Sequence, residues 1–162
     1  MAGSRMMKKQ MVLWVFLAVL YISCTGNSSV LKDGYYTAEV VEFDEHGWKE
    51  YVTICVSSKR IGLVEYNAFN ASGIIKSWDM NYMRLMNASN GTYPNAYARY
   101  YGSQLLSHQN TDEIDCISGA TDSYNLFIRL ADAALENARQ GNTETELVHF
   151  DNAQDNVQAL IH

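Results

Sequence analysis

Residues 48–69, with the sequence WKEYVTICVSSKRIGLVEYNAF, decide the fold class of this chain. Within residues 48–57, Val52, Ile54 and Val56 share one face, and Tyr51, Thr53 and Cys55 share the other. This alternation predicts a β-strand that buries one side. The polar turn at residues 58–60 leads into a second strand-like segment, residues 61–69. The two segments therefore predict an antiparallel hairpin.

The flanking sequence extends this hairpin into an α+β domain. Residues 34–41 are rich in strand-forming side chains and follow a Lys-Asp-Gly turn, which predicts a third antiparallel strand and thus a meander. A short strand is also predicted near residues 147–150. Apolar side chains at helical spacing predict helices over residues 78–86, 95–107 and 122–140. We expect a single α+β domain, in which helices pack on one side of an antiparallel sheet.

Composition divides the chain into four parts. Residues 1–23 combine a basic start with an unbroken apolar run at residues 11–22, which is typical of a secretory signal and short for a membrane span. Residues 24–32 form a polar tether, residues 33–142 the folded domain, and residues 143–162 an acidic tail.

Residues 20–24, Leu-Tyr-Ile-Ser-Cys, resemble the lipobox of bacterial lipoproteins. This resemblance implies a lipid on Cys24 and a place in the cell envelope, on the extracytosolic face of a bacterial membrane. Plain secretion without a lipid is the alternative. The signal holds three of the 12 basic residues and none of the 18 acidic ones, so the remainder carries a net charge of −9. Such a charge disfavours binding to nucleic acid and to anionic lipid surfaces.

Residues 115–121, Asp-Cys-Ile-Ser-Gly-Ala-Thr, end a polar loop and begin the last predicted helix. Gly119 and Ala120 leave little side-chain bulk ahead of that helix. The first N–H groups of a helix lack partners and carry the positive end of its dipole, so a phosphate is favoured there. The same small and hydroxyl residues also suit an ordinary N-cap.

This segment resembles the motif Asp-x-x-Ser/Thr-Gly-Ala-Thr/Ser of the FMN-binding domain family, in which a flavin transferase esterifies FMN onto the last hydroxyl. The family includes small flavin-carrying lipoproteins and the flavin-bearing subunits of sodium-pumping NADH:quinone oxidoreductase and its ferredoxin-dependent relative. The resemblance implies covalent FMN on Thr121, beside Ser118, Gly119 and Ala120, with Asp115 serving the transferase. The resemblance implies that the chain is an electron carrier rather than an enzyme. The redox partner of this carrier would be a membrane reductase or another flavoprotein.

Residues 76–83, Lys-Ser-Trp-Asp-Met-Asn-Tyr-Met, form the second candidate for flavin contacts, because similar residues recur in the lipoprotein branch of that family. An isoalloxazine ring needs aromatic or apolar faces and hydrogen bonds at its polar edge. The faces would come from Trp78, Tyr82 and Met83, and the edge contacts from Lys76, Ser77 or Asp79. A helix that packs methionine and aromatic side chains into the core is the alternative.

No catalytic residue and no metal site is predicted. Cys55 and Cys116 lack a CxxC spacing, and we expect both to stay reduced and partly buried. The histidines share no metal-ligand spacing: His46, His108, His149 and His162.

A rival function belongs to another class. The chain would be an envelope binding or interaction module of the same fold, which holds flavin or another planar ligand without a covalent bond. Its pocket would be lined by Trp78, Tyr82 and Tyr101.

Overall fold

A computed structural model describes residues 30–149. The predicted signal peptide, Cys24 with most of the tether, and the last part of the acidic tail lie outside the described residues. No helix in the described part of the chain is both long and apolar enough to cross a bilayer.

The predicted meander is confirmed. Strands β1 (Gly34–Val40), β2 (Lys49–Ser57) and β3 (Arg60–Phe69) pair antiparallel in sequence order. Val52 and Ile54 are fully buried, whereas Thr53 between them is only half-buried. The alternation read from residues 48–57 therefore fixes which face of β2 meets the core.

A fourth strand, β4 (Glu146–Val148), lies beside β1 and gives the sheet the order β3-β2-β1-β4. It pairs with β1 in the parallel sense, so the sheet is mixed and mostly antiparallel. A tight turn imposes antiparallel pairing, but a long connection through helices also permits a parallel neighbour. The predicted fold class, a single α+β domain, is confirmed.

Three helices follow the meander within residues 30–149: α1 (Met80–Asn90), α2 (Pro94–His108) and α3 (Thr121–Gln140). The predicted bounds of α2 and α3 agree with these within one residue. The prediction for α1 was wrong at both ends. Residues 76–78 form a separate 3-10 turn, and the Asp79 side chain caps α1 by accepting from the N–H groups of Asn81 and Tyr82. Gly91 in the left-handed region then ends α1.

The core lies between one face of the sheet and helices α2 and α3. Phe127, Leu130, Ala131 and Ala134 form the fully buried stripe of α3. Tyr97, Tyr101 and Leu105 bury the matching face of α2. No residue of α1 is fully buried, so this helix lies at the margin of the domain. The beginning of α3 and the end of α1 meet at that margin.

Candidate functional site

Thr121 is the first residue of α3, and its side chain is exposed. Ala120 occupies the N-cap position and supplies no side-chain hydrogen bond to the first turn. The leading N–H groups of a helix have no intrahelical acceptor, and here the cap leaves them without the usual side-chain oxygen. The helix therefore begins with an accessible hydroxyl beside backbone donors.

Gly119 is required by two features of the backbone. Its φ is +82°, in the left-handed region that favours glycine. A Cβ placed there would lie 3.2 Å from the carbonyl carbon of Asn90 and would collide with the carbonyl oxygen. Asn90 is the last residue of α1, so the end of α1 closes directly on the motif. The absence of a side chain at residue 119 is thus what lets the two segments meet.

Tyr101 makes hydrogen bonds from the core to the backbone of the loop at residues 115–120. Its ring is fully buried, and its hydroxyl accepts from the N–H of Ile117 and donates to the carbonyl of Ala120, at 3.2 Å in each case. Burial raises the pKa of Tyr101 to about 12, so the hydroxyl keeps its proton at neutral pH. Tyr101 therefore fixes both sides of the turn that precedes Thr121.

A buried polar network reaches the first turn of α3 from the sheet. The Tyr66 hydroxyl lies 2.9 Å from the carbonyl oxygen of Ser123 and contacts the Glu50 carboxylate at a short distance. The other oxygen of Glu50 accepts from the Lys76 ammonium at 3.0 Å. Glu50 is 6% exposed and Lys76 is 5% exposed. Three contacts thus link the helix start to the 3-10 turn at residues 76–78.

The electrostatics of this network follow from burial and from the one ion pair. Burial alone would lower the pKa of Lys76, but the Glu50 carboxylate more than offsets this effect and raises it. Burial, with the charge of Glu50, raises the pKa of Tyr66 well above its usual value. Lys76 is therefore positively charged and Tyr66 is protonated across the physiological range.

The side chains of residues 76–83 lie in different surroundings near this network. The Lys76 ammonium is paired with Glu50, and it also lies 5.4 Å from the centre of the Tyr82 ring. Asp79 caps α1, as described above, and Met83 is half-buried within that helix. Trp78 is 73% exposed. The flavin contacts predicted for this segment remain predictions.

A cavity of about 470 Å³ lies between β3 and α2. Ser77 and Trp78 line it on one side, and Tyr66 and Asn67 of β3 line another. Thr121 is not among its lining residues. Tyr66 is common to the two places, because it is one of the residues that line the cavity and its hydroxyl contacts the first turn of α3.

The pocket expected from Trp78, Tyr82 and Tyr101 is not formed. Tyr101 is 0% exposed and lies in the core, whereas Trp78 is mostly exposed. The helical spacing of α2 placed Tyr101 on an apolar stripe, and that stripe faces the sheet. Tyr101 therefore acts beneath the motif rather than in an open pocket.

The two cysteines in the described part of the chain are free. Cys55 is partly buried, as expected, on the outer face of β2. Cys116 is exposed, contrary to expectation, because the loop at residues 115–119 runs over the surface. Its sulfur lies 3.9 Å from the Thr121 hydroxyl oxygen.

Glu50, Tyr66 and Ser123 were not among the predicted site residues. Glu50 did carry a signal, since the alternation in β2 puts it on the same face as Val52 and Ile54. A carboxylate at a buried strand position requires a partner. The sequence does not reveal that partner, because Lys76 lies 26 residues further along the chain.

Comparison with known proteins finds the 15 kDa lipoprotein of Treponema pallidum (strain Nichols), which is 36% identical over 128 residues and is matched over 89% of its length and 79% of this chain. The chain belongs to the family of this lipoprotein. The predicted lipoprotein character is thus confirmed at the level of the 15 kDa lipoprotein family, while Cys24 itself lies outside the described residues. No family model matches the chain.

The chain is also similar to two solved structures. The crystal structure of the CPE2226 protein from Clostridium perfringens is 39% identical, with a TM-score of 0.71 over 75% of this chain and 99% of that one. A solution NMR structure from Clostridium thermocellum is 30% identical and covers 67% of this chain and 92% of that one, with a TM-score of 0.47. The fold described here is therefore shared with nearly the whole CPE2226 chain.

Proposed function

We propose that this protein is an extracytosolic, lipid-anchored electron carrier whose FMN is joined by a phosphoester to Thr121. The observation that carries the proposal is the exposed Thr121 hydroxyl at the start of α3, with no side chain on Gly119 and no capping side chain on Ala120. The likeness of residues 115–121 to the acceptor motif of FMN-binding domains supports the same assignment.

The surroundings of Thr121 fit a covalently held phosphate. Unpartnered N–H groups at a helix start favour an anion by about 0.3–1 kcal/mol at an exposed site. Two exposed carboxylates, Asp115 and Asp122, lie close in sequence to Thr121 and oppose a second negative charge. Because these effects act in opposite directions, electrostatics alone would hold a phosphate weakly. An ester bond to the hydroxyl removes that weakness.

The cavity beside β3 is the place we propose for the flavin ring. An isoalloxazine ring uses hydrogen bonds at its polar edge and aromatic contacts on its faces. Ser77 could supply the first and the exposed Trp78 ring the second. FMN would supply the redox chemistry, and the protein would supply position, partial shielding from water and a defined electrostatic surrounding. Such a carrier would need no catalytic residue of its own.

The proposed cellular setting is supported by the lipobox-like residues 20–24 and by membership in a lipoprotein family. A lipid on Cys24 would hold the domain at the outer face of a bacterial membrane within the cell envelope. A flavin transferase would be required for maturation, and a membrane reductase or another flavoprotein would be the redox partner. A reversible flavin site with a Kd of about 1 nM would still lose its ligand to an open exterior, so a covalent link suits this location.

Coexpression with a flavin transferase tests the proposal. We expect the peptide that contains Thr121 to gain the mass of FMN less one water, because the ester forms at the hydroxyl with net loss of water. Thr121→Ala should abolish this gain, and Thr121→Ser should retain it, since the hydroxyl is kept. Ser89→Ala is the matched control, because it removes an exposed hydroxyl outside residues 115–121, one that donates to carbonyls of α1, and should leave the added mass in place. An unmodified Thr121 peptide in the wild-type protein contradicts the proposal.

The rival function keeps one observation in its favour, the cavity between β3 and α2. A binding module would take up free FMN or another planar ligand there, without a bond to Thr121. Titration of Thr121→Ala with FMN, followed by flavin fluorescence, separates the two. Saturable binding equal to that of the wild-type protein, without covalent modification of either, favours the module.

A further inference from the structure

The Tyr66 hydroxyl is a side-chain link between the sheet and the first turn of α3. It lies 2.9 Å from the carbonyl oxygen of Ser123, the third residue of that helix. Its other neighbour is the Glu50 carboxylate, so the single hydroxyl proton is shared between two acceptors. Both contacts lie away from bulk water, because Tyr66 is only 4% exposed and Glu50 is similarly buried.

We propose that Tyr66 is a positioning residue, whose hydroxyl, oriented by Glu50, fixes the first turn of α3 and thereby the direction of the Thr121 hydroxyl. The proposal rests on the proposed function for its consequence, since Thr121 must be presented to a transferase. Rotation of the first turn about the helix axis would break the contact with Ser123, two residues beyond Thr121. The network therefore resists the motion that would misdirect the acceptor oxygen.

The cost of the network argues for this role. A buried ion pair such as Glu50–Lys76 loses hydration on both sides, and apolar replacements of similar volume are often equally stable or better. The network therefore contributes little net stability compared with an apolar core. What it adds is a directed contact between the sheet and one helix turn. Tyr101 supports the preceding loop in the same way, so both sides of Thr121 are held by tyrosine hydroxyls.

Tyr66→Phe removes this contact while keeping the ring in place. Amide hydrogen exchange of the unmodified protein should quicken about 2- to 10-fold in residues 121–127, the range expected for loss of one net hydrogen bond. Exchange in residues 134–140, at the other end of α3, should not change. The rate of FMN attachment during transferase treatment should fall about 10-fold or more, because small errors in the placement of a reacting group are costly.

Tyr36→Phe is the matched control. Tyr36 lies on β1 in the same core, and its hydroxyl donates to the carbonyl of Lys32 at 3.0 Å, away from the first turn of α3. Its removal should leave both exchange in residues 121–127 and FMN attachment at wild-type values. Where the wild-type protein does take up FMN, an equal attachment rate for Tyr66→Phe overturns the proposal, and so does unchanged exchange in residues 121–127.

The two readouts separate the failure of this proposal from the failure of the proposed function. Quickened exchange in Tyr66→Phe with no FMN on the wild-type protein supports the positioning of the helix turn and refutes the flavin carrier. FMN on the wild-type protein with unchanged exchange in the variant does the reverse. If Tyr66→Phe does not fold, Glu50→Leu/Lys76→Met replaces it, because it removes the carboxylate that orients the Tyr66 hydroxyl without leaving a buried unpaired charge. Quickened exchange in residues 121–127 of that variant supports the proposal, and wild-type exchange there overturns it.

Discussion

Gly119→Ala is the substitution that most directly tests how the motif is built. The new methyl group would sit in a backbone conformation with φ of +82° and would meet the main chain of Asn90. Rotation of a side chain cannot relieve this contact, because the carbonyl belongs to the backbone. Either the loop at residues 115–120 or the last turn of α1 must move.

The expected cost has two parts. A non-glycine residue in the left-handed region costs about 1–2 kcal/mol. Forcing a methyl group into occupied space costs about 1–3 kcal/mol more, after partial relaxation. We therefore expect the free energy of unfolding to fall by about 3 kcal/mol. At about 4 °C per kcal/mol for a domain of this size, Tm should fall by roughly 12 °C.

Gly73→Ala supplies the comparison. Gly73 has a similar φ of +78°, but a Cβ there would meet nothing within 4 Å. It should cost only the conformational strain, about 1–2 kcal/mol. Thermal and chemical denaturation of both variants measure the difference. A cost for Gly119→Ala no greater than that for Gly73→Ala would refute the idea that contact with Asn90 demands glycine.

Two other features give measurable effects on stability. The Asp33 carboxylate accepts from the N–H groups of Lys59 and Ser58, which lowers the pKa of Asp33. The contribution of this carboxylate to stability is complete above about pH 4, its pKa in the unfolded chain, and is lost as the pH falls through the lower pKa of the folded protein. The Tm difference between the wild-type protein and Asp33→Ala should therefore shrink below pH 4, and a constant difference from pH 6 to pH 2.5 would contradict this. Glu50→Leu leaves the Lys76 ammonium buried without its carboxylate and should cost about 3–5 kcal/mol, whereas Glu50→Leu/Lys76→Met should recover most of that loss in urea denaturation. Equal costs for the single and double variants would show that the pair is not coupled.

Local patterns predicted most of this fold. The alternation in residues 48–57 and the apolar stripe of α3 each record a buried face directly, so β2 and α3 were placed within about a residue. The start of α1 was misjudged because the helical spacing of Met80, Met83 and Met86 was extended back to Trp78, while the capping side chain of Asp79 starts the helix at Met80. The parallel pairing of β4 depends on where the helices return the chain, which no local pattern records.

The candidate site likewise has a part that the sequence predicted and a part that it did not. Residues 115–121 are contiguous, so the exposed hydroxyl at a helix start could be read from the sequence. The partners that hold it are not contiguous, since Tyr66 meets Ser123 across 57 residues. Tyr101 was predicted to line a ligand pocket with Trp78 and Tyr82, and its supporting role became visible only once the face of α2 was known.

The way the chain enters the domain sets the geometry of an anchored molecule. The Lys32 N–H donates to the carbonyl of Ala138, and the Lys32 ammonium donates to that of Gln140. The incoming segment is thus fastened to the last turn of α3, while Thr121 stands at the first turn. A helix of 20 residues is about 30 Å long, comparable to the hydrocarbon thickness of a bilayer. Under the proposed lipid anchor on Cys24, the proposed flavin attachment point at Thr121 would therefore lie about 30 Å from the place where the chain enters the domain.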